Sequence, residues 1–199
     1  MYDCRNILNR PVMEKRVLLH CCCAPCSAAI LEWLLANGYE PVLFFYNPNI
    51  FPQQEYLLRK GELVRYAESL SVPYVDESAL DSDDWDRRHS LWLGSVSGLE
   101  NEPERGRRCL QCFSYRLNAT ARYAAANGFP LFTTTLASSR WKSIDQIFQA
   151  GFQAQESFGD GVTQFWDKNW RKGGLYERRN ILAKQFYNQT YCGCEFSRR

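Results

Sequence analysis

Imidazole is scarce in this chain: only His20 and His89, among 199 residues, can act as imidazole bases. No Gly-x-Gly-x-x-Gly follows the first apolar run and no Gly-x-x-x-x-Gly-Lys-Ser/Thr loop occurs, so neither dinucleotide nor P-loop nucleotide binding is supported. Long apolar runs are absent too; none approaches the roughly 18–20 residues of a membrane span. The segment Met1 to Arg16 is polar and basic and has no signal-peptide core. These absences fit a soluble cytoplasmic protein without a membrane partner. With 45% hydrophobic and 23% charged residues, disorder and low-complexity fibres are also excluded.

What is present is enough for one domain over 1–199, with 1–15 as an N-terminal extension. A chain of this length buries its core without disulfide help. Aromatics are plentiful, with 6 Trp, 11 Tyr and 12 Phe. The net charge of +2 hides an asymmetry: Ala24 to Asp86 carries 11 acids against 3 bases, whereas Arg87 to the end carries 17 bases against 9 acids. Such a split suggests a basic face able to meet a polyanion.

The nine cysteines are more informative. Cys21, Cys22 and Cys23 are consecutive and Cys26 follows closely; Cys109 and Cys112 form a second group, and Cys192 and Cys194 a third. Cys4 stands alone and receives no role. Inert core thiols should be scattered, and the odd count in a chain without a signal peptide argues against a disulfide scaffold. Metal or redox chemistry remains.

Local patterns place these groups. Val17-Leu18-Leu19 reads as a buried strand, followed by a helix through Ala28–Ala36 that stops at Asn37-Gly38. Pro41 to Tyr46 reads as a second strand and Gln53 to Leu70 as a helix. In that helix Leu57, Leu58, Val64 and Ala67 are expected inward and Arg59, Lys60 and Glu62 outward. Pro73-Tyr74-Val75 is a third short strand. The acidic stretch Asp81 to Asp86 suits a helix N-terminus, and Ser95 to Gly106 is a polar loop. Cys109 to Ala126 reads as a helix with Leu110, Phe113, Leu117 and Ala121 at core spacing. Pro130 to Leu136 is a fourth strand, Ile144 to Gln155 a helix, and Leu175 to Tyr187 the last long helix before the tail. Strand–helix alternation implies an α/β, Rossmann-like, mainly parallel sheet flanked by helices, with a helical C-terminal part. Ligands of such sheets bind beyond the carboxyl ends of the strands, where the cysteine-bearing 21–26 segment, the loop Asn47–Pro52 and the segment Thr135–Lys142 would converge.

Thiolates are soft ligands for zinc, Cu(I) or iron–sulfur clusters. Cys109-x-x-Cys112 can direct two sulfurs one way from a helix start; with Cys22 and Cys23 it supplies four ligands. Both a zinc site and a 4Fe–4S cluster meet that description, although adjacent cysteines are awkward for tetrahedral zinc. Cys26 can replace Cys22 or Cys23, serve a second metal, or be a plain helix thiol. Cys21 is expected to point away from Cys22. Cys192-Gly193-Cys194 has the spacing of a strained, reducible disulfide or of a metal hook. His20 is either a partner of the cysteine ligands or a satisfied core histidine.

Leu18-Leu19-His20-Cys21-Cys22-Cys23-Ala24-Pro25-Cys26, Tyr46-Asn47-Pro48-Asn49-Ile50, Arg108-Cys109-Leu110-Gln111-Cys112 with Arg116-Leu117, Thr133-Thr134-Thr135-Leu136 with Ser139 and Lys142, and Tyr191-Cys192-Gly193-Cys194-Glu195-Phe196-Ser197 together resemble the QueH type of epoxyqueuosine reductase. The motifs keep their order from about Val17 to Ser197. The resemblance implies a nucleotide-binding-like (HUP-type) α/β fold and cobalamin-independent reduction of epoxyqueuosine to queuosine. That reaction takes place at the tRNA wobble position and is the last step of queuosine biosynthesis. It further implies a 4Fe–4S cluster on Cys22, Cys23, Cys109 and Cys112, an additional mononuclear iron with Cys26 as a ligand, and a redox-active pair in Cys192 and Cys194. The chain departs from the family pattern in its N-terminal extension, in the extra Cys21, and in Arg140-Trp141, where many members have Pro-His.

The partners implied are a tRNA carrying epoxyqueuosine and an external electron donor. Candidates for substrate contact are Asn47, Asn49, Thr134, Lys142 and Arg108. Arg87, Arg88, Arg107, the stretch Trp166 to Lys172 and Arg178-Arg179 are further candidates for holding RNA, although core packing is the favoured reading of Trp166 and Trp170. Asn47 and Asn49 can also be plain turn residues. Two other readings compete: a zinc-stapled, non-catalytic RNA-binding module, and a tRNA thiolation or sulfur-transfer enzyme. The missing phosphate-cradling loop counts against ATP-dependent thiolation.

Overall fold

The computed structural model of the chain describes residues 15–76 and 84–198. Cys4, with nearly all of the N-terminal extension, and the first half of the acidic stretch, 81–83, lie outside the described residues. Five strands alternate with six α-helices: β1 (Arg16–His20), α1 (Ala24–Ala36), β2 (Glu40–Phe45), α2 (Gln53–Ser69), β3 (Tyr74–Asp76), α3 (Trp85–Ser95), α4 (Arg107–Ala126), β4 (Leu131–Thr134), α5 (Ile144–Phe158), β5 (Gln164–Phe165) and α6 (Leu175–Leu182). The strands form one sheet in the order β3-β2-β1-β4-β5. Every pairing is parallel, with Leu18 facing Val42 on one side and Phe132 on the other. This is the α/β, Rossmann-like architecture expected.

Val17, Leu18 and Leu19 are all fully buried. Successive strand residues point to opposite faces, so both faces of β1 are covered. One cover is α1 with α2 and α6; the other is α4 with α3 and α5. Along α4, Phe113, Leu117 and Ala121 are buried as their spacing predicts, and Leu110 packs half-buried against the core. Asp84 caps α3 by accepting from the Arg87 amide, the helix-start role expected of the acidic stretch.

Three expectations are corrected. In α2 the face is rotated: Leu57 and Leu58 are exposed, while Tyr56, Arg59, Leu63 and Tyr66 are buried. Two tyrosines supply the apolar face, and Arg59 goes inward because Glu55, one turn back, pairs with it at 2.7 Å. Beyond β4 the strand stops at Thr134, whose hydroxyl accepts from the Leu136 amide and starts a 3₁₀ turn over Thr135–Ser138. The last long helix ends at Leu182 and continues only as a 3₁₀ turn, Ala183–Gln185. The core-packing reading of Trp166 and Trp170 holds: they are buried, packed edge-on at 5.4 Å and against Trp33, so they offer no face to RNA. The two-residue β5 between α5 and α6 carries too little apolar sequence to be read as a strand. Among the described residues no helix is long and apolar enough to cross a membrane.

Candidate active site

The strand order reverses between β1 and β4, and a parallel sheet opens its ligand crevice at that point. The segments leaving these two strands carry the cysteines after His20 and the stretch from Thr135 to Lys142. A cavity of about 280 Å³ lies there, lined by Cys22, Cys26, Cys109, Cys192 and Cys194. Its cations are Arg59, Arg105, Arg108, Arg116, Lys142 and Arg179, against the single carboxylate of Glu104. Three cysteine groups, far apart in sequence, therefore share one basic cavity.

Helix geometry explains the first group. Cys23 is the N-cap of α1, in extended backbone, and Pro25 sits in the first turn, where its missing N–H costs nothing. Cys26 then lies one turn on, and the sulfurs of Cys22, Cys23 and Cys26 fall within 4.8 Å of one another. This trio can hold a metal ion. Cys22 Sγ and Cys23 Sγ are 3.7 Å apart. Contacts from Cys22 and Cys23, helped by Arg179 and Lys142, hold Cys26 well below the usual thiol range, whereas burial pushes Cys23 up. One thiolate shared among three sulfurs, at a helix N-terminus, is a ready soft-metal donor set. N–H donors of the kind that orient metal ligands surround it: Gln189 Nε2 reaches Cys23 Sγ at 3.1 Å and Arg179 Nη2 reaches Cys26 Sγ at 3.8 Å.

The second group follows from α4. Gly106 caps the helix, and Cys109 and Cys112 are one turn apart on the same side. Cys109 lines the cavity and accepts from the Arg105 amide at 3.3 Å. Cys112 is more enclosed, packed with Trp92, Val96 and Cys194. Burial pushes the Cys112 thiol up to about 12 and raises Cys109 as well. Left alone these sulfurs stay protonated; a bound cation would take the protons' place.

The third group is strapped down. Arg59 donates to the carbonyls of Cys192 and Tyr191 at 3.2 and 3.3 Å, and the Phe51 amide donates to Gly193 O at 2.9 Å. The Tyr191 hydroxyl closes the strap onto Phe51 O. His89 bridges the far side, donating from Nδ1 to Pro48 O, with Nε2 3.3 Å from Glu195 Oε1. Cys192 is exposed and Cys194 buried, its thiol raised by that burial.

The substrate candidates are distributed unevenly. Lys142 lies in the cavity; burial opposes its charge, but Cys192, Cys22 and Cys26 more than offset that and raise its pKa. Arg108 also lines it, while its guanidinium clamps the carbonyls of Glu100 and Glu102, both at 2.6 Å. Asn47 is buried with its amide committed inside the protein, donating to Cys21 O and accepting from Arg116. Asn49 is buried beside Gly193, and its Oδ1 lacks a hydrogen-bond partner. Thr134 holds His20, whose other nitrogen donates to Tyr46 O; burial, aided by Arg116, lowers His20 to about 3. His20 is thus a neutral, satisfied core histidine. Cys21 turns its sulfur to Leu19 O and does not join the Cys22, Cys23 and Cys26 group.

Sequence reasoning missed Arg59, whose inward face contradicted the helix pattern, and Thr135, whose hydroxyl accepts from the Cys22 amide. It also missed Gln189, a polar residue in an irregular tail. Only the repeated approach of the motifs to one rim pointed toward them.

Comparison with known proteins agrees with this geometry. The family model described as Epoxyqueuosine reductase QueH matches residues 17–199. The chain is 45% identical to the epoxyqueuosine reductase QueH of Histophilus somni (strain 129Pt) over 98% of its own length and 77% of that protein. To the protein of the same name from Haemophilus influenzae it is 44% identical, over 98% and 76%. To that of Thermotoga maritima it is 35% identical, over 91% and 89%. A chain that carries these cysteine groups at one cavity, and matches these proteins over nearly its whole length, belongs to the epoxyqueuosine reductase QueH family.

Proposed function

We propose that this chain reduces epoxyqueuosine to queuosine in the wobble position of tRNA, within the cytoplasm. The observation that carries the reading is the meeting of Cys22, Cys26, Cys109, Cys192 and Cys194 in one cation-lined cavity at the switch point of the sheet. Eight free cysteines among the described residues suit a reducing compartment.

Removing the epoxide oxygen as water leaves a carbon–carbon double bond and consumes two electrons and two protons. Oxidation of the Cys192 and Cys194 thiols to a disulfide releases the same number of each, so one dithiol balances one turnover. Cys192, being exposed, is where an external electron donor would restore the pair. Lys142 stays protonated among the sulfurs and can donate a hydrogen bond to the departing oxygen. The walls supplied by Phe113 and Leu136 limit water, whose attack would open the epoxide instead.

The donor set fits a thiolate-ligated group, because buried sulfurs sit beside Arg59, Arg116 and Arg179, which offset its negative charge. A 4Fe–4S cluster on Cys22, Cys23, Cys109 and Cys112, with an additional iron at Cys26, would supply one-electron transfer and Lewis acidity there. Anaerobically purified protein should be brown and bleach with dithionite, and Cys109→Ser should lose both colour and turnover. A colourless, zinc-loaded protein, or a Cys109→Ser variant turning over at the native rate, overturns this assignment.

A further inference from the structure

Trp141 is the most exposed large apolar side chain among the described residues, at 82%, yet it lines the mouth of the cysteine cavity. Its exposure is not slack in the chain. Arg105 donates to the carbonyls of Trp141 and Arg140 at 3.0 and 2.9 Å, and Arg171 donates to Lys142 O at 2.9 Å. The Trp141 amide donates to Ser139 Oγ at 3.3 Å. A pinned backbone thus presents a bare indole to solvent immediately before Lys142, which reaches into the cavity.

Charge around the indole is mainly positive, with Glu104 on the cavity lining and Asp145 near Arg171 as acids. Burial disfavours the charge on Arg171; Arg105 and Arg140 lie close enough to add to that, and Asp145 opposes them. None of the three forms an ion pair among the described residues. Arg140 is held over the Tyr176 ring at 3.6 Å. Gathering guanidiniums around an exposed indole without paired carboxylates costs electrostatic energy that an arriving phosphate would relieve. A flat ring beside unpaired cations is also how proteins grip unstacked nucleotides.

We infer that Trp141, flanked by Arg105 and Arg140, is a docking platform for a single-stranded nucleotide next to the modified one: the indole stacks on the neighbouring base and the guanidiniums meet its phosphates. This rests on the proposed reaction and adds a specificity-determining contact at the mouth of the cysteine cavity. The substrate would then be recognised as a nucleotide within a strand, with its neighbour splayed onto the rim.

The test uses the metal-loaded protein and an anticodon stem-loop containing epoxyqueuosine, with 2-aminopurine immediately before or after it. Base stacking on an aromatic contributes about 1–3 kcal/mol, so Trp141→Ala should raise KM about tenfold, the loss falling on KM rather than kcat. It should also abolish the quenching of 2-aminopurine seen on wild-type binding in one of the two labelled positions. Trp141→Phe, which keeps a stacking ring, should recover most of the affinity and the quenching. Arg140→Gln should lower the salt dependence of binding by about one phosphate contact. If wild-type protein reduces the stem-loop and Trp141→Ala matches it in KM and quenching, this inference is overturned and the functional reading stands. Wild-type protein that neither binds nor reduces the stem-loop overturns both.

Discussion

Gly193 separates the two cysteines of the strap at φ +123, a backbone conformation that side chains rarely adopt. A Cβ there would stand 3.1 Å from Arg59 Nη1 and 3.2 Å from Ile50 Cγ1. The crowding matters because those neighbours are themselves fixed: Arg59 pairs with Glu55, which also accepts from the Tyr187 hydroxyl at 2.9 Å. Gly193→Ala should therefore cost about 1–3 kcal/mol of local strain and displace Cys192 and Cys194 from their seats. The variant should remain folded by thermal melting but lose most multiple-turnover activity; native turnover would show that the strap tolerates movement. Arg59 is the residue on which strap and helix depend together, since one guanidinium reaches Glu55, Tyr191 and Cys192.

At the scale of elements, α2 shows how a functional contact sets a helix's phase. Its leucines at 57 and 58 would make an ordinary apolar stripe, but the helix instead turns Tyr56, Leu63 and Tyr66 to the core and Arg59 to the strap. Leu58→Lys should change stability by no more than about 0.5 kcal/mol, as for other surface substitutions. Tyr56→Ala should cost about 3–5 kcal/mol, the range for truncating a large buried aromatic. Chemical denaturation of the two variants reads both values, and reversed magnitudes would restore the leucine face. The helix starts behave differently. Cys23 and Cys26 on α1, and Cys109 and Cys112 on α4, lie one turn apart at helix N-termini, so periodicity alone brought each pair to one side.

For the whole molecule, the charge split in the sequence becomes a cavity with six cations and one carboxylate. RNA held by six to ten phosphate contacts loses about 10³–10⁵-fold in affinity between roughly 50 and 200 mM salt. Titration of wild-type protein with the tRNA across that range should show a loss of this order; a flat response would remove the basic face from RNA binding. Not every basic residue of the C-terminal part serves that face. Arg178 is tied to Glu32 at 2.7 Å and Arg107 to Glu102 at 2.6 Å, and exposed pairs of this kind compete with phosphate for the cation.

Strand identity, parallel pairing and the convergence of loops at the strands' carboxyl ends were legible because β1, β2 and β4 are short apolar runs separated by strongly patterned helices. The grouping of cysteines was legible for the same reason: helix and strand periods act over a few residues and are written locally. The sequence by itself thus determined the sheet, the helix starts that carry the thiols, and the basic character of the second half. Which cysteine groups meet in one cavity, that Arg59 faces inward and that Asn47 is spent on Cys21 and Arg116 were decided only by the tertiary structure. Those contacts join residues more than twenty positions apart or override a helix's own pattern, and their energies exist only once distant segments have been packed against one another.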